Sequence, residues 1–375
     1  MARNFLLTAF ICFVIGSSAF AIDPTPLAIG SQAPDFKLPG TDGKNYSLAD
    51  FSGAKVLVFI FTCNHCPTAQ AYEDRMIKMS NEYVSKGVQF VAISPNDPNA
   101  IRLDELGYSD LGDSYEDMVI RSEQKNFPFP YLYDGETQSV STKYGPIATP
   151  HVFIFDKDRK LRFQGRIDDT ENPAKTPKIH DTRVAIDALL ADKAVPVETT
   201  KVFGCSVKWA SKTNWLEQAK VKWAQEPVSL NVVDEAGVRE LVANKTDKLR
   251  VINLWATWCG PCVSEFPDLI TINRMYRIRD FEMVTISADN PGSEEKALKF
   301  LQKQEASTSN YIFNLEDKYK LIEAVDPKWG GALPYTLVVE PGGKIIYSKQ
   351  GPFDVMELKT AIVDSPTIGR IYPNK

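Results

Sequence analysis

The sequence is short of the features that mark a nucleic-acid-binding, membrane-spanning or disulfide-stapled protein. Its formal net charge of −5 gives no basic patch for a nucleic acid. The apolar stretch over residues 5–15 is too short to span the hydrocarbon of a bilayer comfortably. The 375 residues include only six cysteines and three histidines, too few for a stapling framework. Hydrophobic residues at 43% and charged residues at 24% are typical of a globular chain, here of two to three domains.

The N-terminal segment has the parts of a cleavable secretory signal. Arg3 precedes the apolar stretch, and Ala19-Phe20-Ala21 supplies an A-x-A cleavage site. We therefore predict a signal peptide over residues 1–21, cleavage near Ala21, and a periplasmic or secreted mature protein. Cys12 lies inside this segment, so five cysteines remain after cleavage.

The remaining cysteines form two C-x-x-C pairs and one single residue. Cys63-Asn64-His65-Cys66 follows the apolar run 55–62, and Cys259-Gly260-Pro261-Cys262 follows the apolar run 249–258. A buried strand that ends at a dithiol, with a helical pattern after it, is the layout that dithiol–disulfide exchange needs. Because each pair lies in its own part of the chain and histidines are few, we predict no metal site and no cofactor. Cys205 is either a small buried side chain or a third redox thiol.

The sequences around the two pairs repeat one another. Each pair is followed by helical spacing and then by a strand pattern, over residues 88–94 and 281–287. Each half later shows another helical segment, a strand that begins at Pro150 or Pro334, and a hairpin. We therefore predict an α/β fold of two tandem domains, over residues 22–197 and 228–375, with residues 198–227 as a linker or helical extension that contains Cys205.

The second half resembles a branch of the thioredoxin superfamily, the TlpA-type thiol–disulfide oxidoreductases of bacterial envelopes. The resemblance rests on W-A-T-W-C-G-P-C over residues 255–262, on Glu265-Phe266-Pro267, and on Leu333-Pro334. The family uses a carboxylate at the position of Glu265 to handle protons near its dithiol. Glu265 is therefore an expected catalytic residue.

The first half is similar to another branch of the superfamily, the C-x-x-C form of the alkyl hydroperoxide reductase/thiol-specific antioxidant proteins. The matching residues are 61–67, 92–97 and Thr149-Pro150-His151. Together the two resemblances imply two thioredoxin-like domains, each a mixed β-sheet flanked by helices. They also imply that each C-x-x-C lies at the start of a helix and that each late proline is cis beside it.

The helix ends predict different roles for the cysteines of each pair. A helix N-terminus stabilises a nearby thiolate and lowers its pKa. We therefore expect Cys63 and Cys259 to be exposed attacking thiols, and Cys66 and Cys262 to resolve the mixed disulfide. His65 lies inside the first dithiol loop and is expected to favour the thiolate there.

The expected substrate-binding residues lie beside the dithiols. The residue before a cis proline can offer backbone hydrogen bonds to an extended peptide. This assigns substrate binding to Thr149 and Pro150 in the first domain, and to Leu333, Pro334 and Trp258 in the second.

These residues predict an extracytoplasmic thiol–disulfide oxidoreductase whose partners are the cysteines of client proteins and a membrane-bound electron donor. A reductive role is favoured because Gly260-Pro261 matches the dipeptide of thioredoxin, a reductant at about −270 mV. His65 predicts a more oxidising first dithiol, so that electrons would flow from the second domain to the first. The alternatives are a disulfide oxidase or isomerase, a peroxiredoxin-like thiol peroxidase, and a non-catalytic client-binding chaperone. Peroxiredoxins place a Thr or Ser three residues before the peroxidatic cysteine. Here Thr62 directly precedes Cys63, which argues against a peroxidase.

Overall fold

Two central β-sheets, each flanked by helices, organise the computed structural model, which describes residues 24–371. The predicted signal peptide lies outside the described residues. Among residues 24–371, no helix combines the length and the apolar character needed to cross a membrane.

From residue 24 onward, the first half of the chain contains nine strands and four α-helices before a short connecting helix. In chain order these elements are β1 Lys37–Pro39, β2 Asn45–Ser47, β3 Val56–Phe61, α1 Pro67–Tyr83, β4 Val88–Ser94, α2 Tyr115–Lys125, β5 Tyr131–Tyr133, α3 Ser141–Tyr144, β6 Ala148–Thr149, β7 His151–Phe155, β8 Leu161–Gly165, α4 Asp181–Leu190 and β9 Cys205–Ser206, followed by the connecting helix α5 Trp215–Trp223.

The first central sheet has the strand order β5-β4-β3-β7-β8. All six residues of β3 are buried, which explains its continuous apolar run, since a central strand is covered on both faces. It pairs in parallel with β4 and antiparallel with β7, so the sheet is mixed. One apolar cluster on each face fixes the strand, and its C-terminal end places the first dithiol at the edge of the sheet.

The second half repeats this arrangement, with six strands in its central sheet instead of five. Its elements are β10 Asn231–Val233, α6 Glu235–Ala243, β11 Leu249–Trp255, α7 Gly260–Tyr276, β12 Phe281–Ser287, α8 Glu294–Lys303, β13 Ser309–Phe313, α9 Lys318–Val325, β14 Tyr335–Val339, β15 Ile345–Gln350 and α10 Val355–Val363. The sheet order is β10-β13-β12-β11-β14-β15, with β11 central and buried along its whole length. The predicted fold class, a mixed sheet flanked by helices in each of two domains, is confirmed.

The two domains contact each other beside the first dithiol. The 3-10 helix Leu103–Tyr108 of the first domain packs on α7 of the second, and the Tyr276 hydroxyl donates to the Ser109 carbonyl over 3.2 Å. Arg370, near the end of the described residues, forms a buried ion pair with Asp110 at 2.9 Å. The loop that leads into the first site is therefore held by residues of the second domain.

Residues 198–227, between the two predicted domains, form two separate parts in the structure. Its first part returns to the first domain, where β9 pairs antiparallel with β6. Its second part forms α5, and the indole of Trp215 donates to the carbonyl of Asn99 in the first domain. The boundaries at residues 197 and 228 stay predictions.

Candidate active site

The two dithiols stand in different registers relative to their helices. In the first domain Cys66 is the N-cap of α1, with Pro67 at the first helical position, so Cys63 lies outside the helix. In the second domain Cys259 is the N-cap of α7, and its sulfur accepts a hydrogen bond from the Cys262 backbone N–H at 3.3 Å. The positive end of the helix dipole therefore acts on the second cysteine of the first pair and on the first cysteine of the second pair.

The first dithiol loop is covered on all sides. Cys63 is 2% exposed and Cys66 is 0% exposed, so the prediction of an exposed Cys63 is wrong. The loop is closed by the stretch before α2, where the Asn64 side chain donates to the Gly112 carbonyl at 2.8 Å. It is also closed by residues 203–208, which we call the covering segment and in which Cys205 packs against both thiols.

Burial and hydrogen bonding shift the pKa values of the two thiols of this pair in opposite directions. Burial and the hydrogen bond with Cys66 raise the pKa of Cys63 well above its usual value. Burial alone would also raise the pKa of Cys66, but hydrogen bonds with the thiols of Cys205 and Cys63 hold it well below its usual value. The charge of His65 acts in the same direction on Cys66. The directions of these two shifts favour the thiolate at Cys66, and the attacking role assigned to Cys63 stays a prediction.

His65 is paired with a carboxylate that the sequence analysis did not single out. Its Nδ1 lies 2.7 Å from Asp113 Oδ2, and both side chains are buried. Burial alone would lower the pKa of His65, but the Asp113 carboxylate raises it. Burial alone would raise the pKa of Asp113, but the His65 charge lowers it. The Asp113 carboxylate thus favours the charged form of the imidazole beside the Cys66 sulfur, and no spacing rule links residue 113 to the dithiol.

The same residues offer the donor atoms of a metal site. One atom each from Cys63, His65 and Asp113 lie within 4.8 Å of one another. The Asp113 carboxylate, however, already accepts hydrogen bonds from the backbone N–H groups of Asn64 and His65 and from the side chain of Asn96. Since a metal would have to displace bonds that satisfy buried groups, the donor set does not fit a resident ion.

The cis-proline loop of the first domain meets both thiols. The Thr149–Pro150 peptide is cis, as is Leu333–Pro334 in the second domain. The Thr149 hydroxyl lies 3.1 Å from the Cys63 sulfur, and the Cys66 thiol lies 3.5 Å from the Thr149 carbonyl oxygen. Thr149 is fully buried, and β9 occupies its strand-pairing edge. Its expected role in binding a substrate peptide stays a prediction.

His151 is a neutral core side chain beside this loop. Its ring packs on Phe153 at 4.4 Å, and its Nδ1 accepts a hydrogen bond from the Ile147 backbone N–H. Burial lowers the pKa of His151 to about 3. It stays uncharged at neutral pH, and its pKa is shifted in the opposite direction to that of His65.

The loop that carries the second dithiol lies at the surface. Cys259 and Cys262 form a disulfide, and both sulfur-bearing residues are buried, so the expected exposure of Cys259 is also wrong. The residues around them are open to solvent, because Gly260 and Pro261 are exposed and Trp258 is 67% exposed. Leu333, the residue before the cis proline, is half-buried against the core of this domain.

Glu265 occupies a buried polar site one helical turn after Cys262. Its carboxylate accepts hydrogen bonds from the Asn253 side chain at 3.0 Å and from the Phe353 backbone N–H at 3.2 Å. Burial raises the pKa of Glu265 to about 7. The carboxyl can therefore take up or release a proton at neutral pH, which is what a proton-handling group beside a dithiol requires.

Glu265→Gln is expected to flatten the pH dependence of the second dithiol around pH 7. The wild-type rate of reduction by dithiothreitol, followed by tryptophan fluorescence, is expected to change most about one unit either side of that pKa. The raised pKa also means that the Glu265 contribution to stability is present at low pH and is lost as the pH rises through about 7. The variant should therefore gain stability relative to wild type above pH 7.

Asp268→Asn is the matched control, since it removes an exposed carboxylate from the same helix. Because the Asp268 charge helps to raise the pKa of Glu265, it should shift both profiles slightly toward lower pH without flattening them. A Glu265→Gln profile that still follows the wild type would contradict the assigned role of Glu265.

Two family models match the chain, one in each domain. The model described as AhpC/TSA family matches residues 29–164. The model described as Redoxin matches residues 238–362. Each matched range contains one of the C-x-x-C pairs and the cis proline beside it.

The chain is also similar to individual proteins. The thiol-disulfide oxidoreductase ResA of Geobacillus thermodenitrificans is 25% identical over 159 residues, which are 42% of this chain and 79% of ResA. The Mycobacterium tuberculosis protein named "Putative peroxiredoxin MT2597" is 37% identical over 79 residues, 20% of this chain and 49% of that protein, so the match spans about half of this relative. The crystal structure of an uncharacterized conserved protein from Geobacillus kaustophilus is 37% identical, with a TM-score of 0.44 and coverage of 50% of this chain and 95% of that chain.

Proposed function

From the premise that the chain consists of two tandem thioredoxin-like domains and is a thiol–disulfide oxidoreductase, we propose that it reduces the disulfides of client proteins outside the cytoplasm. The predicted signal peptide supports the location, and Gly260-Pro261 supports the reductive direction. The proposed partners are client proteins with disulfides and a membrane-bound electron donor.

The exposed loop around the second dithiol is the observation that carries this proposal. The disulfide lies at the N-terminus of α7, between exposed residues of its own loop. Trp258 presents a large apolar ring to solvent next to Cys259. Tryptophan in such a position gives a client peptide apolar contact area beside the reacting sulfur. The first dithiol, in contrast, is buried under the covering segment.

The proposed reaction uses the two cysteines in sequence. The Cys259 thiolate, stabilised at the helix N-terminus, attacks one sulfur of a client disulfide, and the other client sulfur leaves and is protonated. The Cys262 thiol, losing its proton toward Glu265, then attacks the Cys259 sulfur and releases the second client thiol. The client gains two electrons and two protons, and the protein is left with the Cys259–Cys262 disulfide. The electron donor returns this disulfide to the dithiol.

The test is insulin reduction by the full-length chain with dithiothreitol as electron source. Cys259→Ser is expected to lose nearly all of the activity. Cys63→Ser, the same change in the covered dithiol, is the matched control and is expected to retain most of it. If a variant lacking both Cys63 and Cys259 reduces insulin as fast as the wild type, the proposal is wrong.

A peroxide-reducing activity at the first dithiol is the second candidate function. It is favoured by the AhpC/TSA match over residues 29–164 and by the lowered pKa of Cys66. In that reaction two protein thiols become a disulfide while hydrogen peroxide becomes two water molecules. Hydrogen peroxide consumption that survives in Cys259→Ser and is lost in Cys66→Ser would support it.

A further inference from the structure

A strand of the protein itself occupies the edge of the cis-proline loop in the first domain. β9 pairs antiparallel with β6, with Cys205 opposite Thr149 and Ser206 opposite Ala148. Strand addition of this kind is how an extended peptide binds an open sheet edge. The chain therefore supplies at this edge the segment that an outside peptide would otherwise provide, and it places a cysteine opposite the residue before the cis proline.

The covering segment is fixed in this position by contacts on both sides of Cys205. Gly204 has φ +148, and a Cβ there would lie 2.1 Å from the Thr149 carbonyl oxygen, so only glycine permits the approach. Before it, the ring of Phe203 lies 6.4 Å from that of Tyr72. After it, the Lys208 backbone N–H donates to the Asn96 side chain at 2.9 Å, and its ammonium group pairs with Glu105.

This placement brings three sulfurs together. Cys205 packs against Cys63 and Cys66, and its thiol is hydrogen-bonded to the Cys66 sulfur. Cys63 and Cys66 are buried, whereas Cys205 is partly exposed. A surface cavity of about 420 Å³ opens beside Cys205 and is lined by His65 and Gly204 among others. Of these three thiols, Cys205 is the one that a molecule in solution can reach.

We propose that Cys205 is an internal exchange partner of the first dithiol, which forms a disulfide with Cys66 and carries electron pairs between the buried sulfurs and disulfides in solution. The inference rests on the proposed thiol–disulfide oxidoreductase function and assigns to it a third redox residue. It also explains how a dithiol with no exposed sulfur takes part in exchange.

The exchange balances in electrons and protons. The Cys205 sulfur attacks an outside disulfide as its proton passes to the outside sulfur that leaves, which departs as a thiol, and the Cys66 sulfur stays a thiolate. The Cys66 sulfur then attacks Cys205, which releases the second outside thiolate and forms the Cys66–Cys205 disulfide. Attack by Cys63 on Cys66 moves the disulfide to Cys63–Cys66 and frees Cys205. The outside disulfide has gained two electrons from the protein, and two protons from protein thiols and water end on its sulfurs.

The test traps the Cys66–Cys205 bond in the full-length chain. Cys63→Ser protein is reduced, treated with oxidised glutathione, quenched in acid, digested without reductant and examined by mass spectrometry. Most of it is expected to carry the peptide that contains Cys66 linked to the peptide that contains Cys205. Recovery of these two cysteines only as free thiols or as separate glutathione adducts would overturn the proposal.

The wild-type chain gives a second measurement that does not depend on how Cys63→Ser folds. The same linked peptide pair is expected at intermediate ratios of reduced to oxidised glutathione and is expected to vanish in Cys205→Ser. Oxidation of Cys63 and Cys66 is expected to be at least about tenfold slower in Cys205→Ser, because the accessible sulfur is gone. An unchanged rate would mean that Cys205 carries no electrons.

These outcomes separate the inference from the proposed function. If no Cys66–Cys205 bond forms but the wild type reduces insulin, the inference fails and the proposed function stands. If the bond forms but insulin is not reduced, the proposed function fails and the third redox residue stands.

Discussion

Asp113→Asn is expected to lower the free energy of unfolding by about 3–5 kcal/mol, because it leaves the His65 imidazole buried without its counter-charge. Asp113 and His65 are both fully buried, and the carboxylate accepts hydrogen bonds from His65 Nδ1, from Asn96 and from two backbone N–H groups. The asparagine side chain cannot accept all of these bonds. Urea unfolding of the reduced protein at pH 6 measures the loss.

The same substitution is expected to change the redox properties of the first dithiol. With His65 less often charged, the Cys66 thiolate loses part of its stabilisation, and the dithiol becomes more reducing by about 30 mV or more, which corresponds to about 1.4 kcal/mol. Equilibration with glutathione buffers, read by alkylation and mass spectrometry, measures this shift. The pKa of Cys66, followed by thiolate absorbance, should rise in parallel.

Asp117→Asn is the matched control for both measurements. Asp117 lies in the first turn of α2, accepts a hydrogen bond from the Gly112 backbone N–H, and has no histidine partner. The control should leave the potential unchanged and lower stability by much less. If the two variants behave alike, the pairing of Asp113 with His65 does not set the properties of the dithiol.

The pH dependence of the Asp113→Asn effect follows from the two pKa shifts. The pKa of His65 is raised, so its contribution is fully present below its ordinary pKa of 6.5 and is lost as the pH rises through the folded value. The pKa of Asp113 is lowered, so its contribution is fully present above its ordinary pKa of 3.8 and is lost as the pH falls through the folded value. The stability difference between wild type and variant should therefore be largest between these two ordinary values and smaller at both extremes.

The elements that carry regular periodicity could be predicted from the sequence. The apolar runs predicted strands over residues 88–94 and 281–287, and these are the observed bounds of β4 and β12. The proline-initiated strands and the two dithiols at strand ends also agree with the structure. These features depend on local sequence, because a strand buried on both faces and a helix with one apolar stripe each leave a pattern.

The arrangement of the first site could not be predicted in the same way. β9 has two residues, too few to show a period of two, and its partner lies more than fifty residues earlier in the chain. Asp113 reaches His65 from a loop 48 residues away. The start of α1 relative to its dithiol also differs from the prediction. The helix α1 begins at Pro67, after the second cysteine of its pair, whereas α7 begins after Cys259, the first cysteine of its pair. Contacts that only the folded chain creates decide which sulfur is the thiolate.

Gly204→Ala is expected to displace the covering segment and to expose the first dithiol. The new Cβ would lie 2.1 Å from the Thr149 carbonyl oxygen and 2.8 Å from its carbon, which is too close for β9 to keep its pairing with β6. Alkylation of Cys63 and Cys66 in the reduced protein, followed peptide by peptide, is expected to be at least about tenfold faster than in wild type. The yield of the Cys66–Cys205 disulfide should fall in the same variant.

Gly43→Ala separates this effect from the general cost of placing alanine at a positive φ. Gly43 has φ +79 in the turn between β1 and β2, and a Cβ there meets no atom within 4 Å. Its replacement is expected to cost about 1–2 kcal/mol through the backbone alone and to leave alkylation of Cys63 and Cys66 unchanged. Faster alkylation in Gly204→Ala but not in Gly43→Ala would show that the close approach of Gly204 to Thr149 keeps the dithiol covered. Equal alkylation in the two variants would mean that access to the buried sulfurs is controlled elsewhere in the first domain.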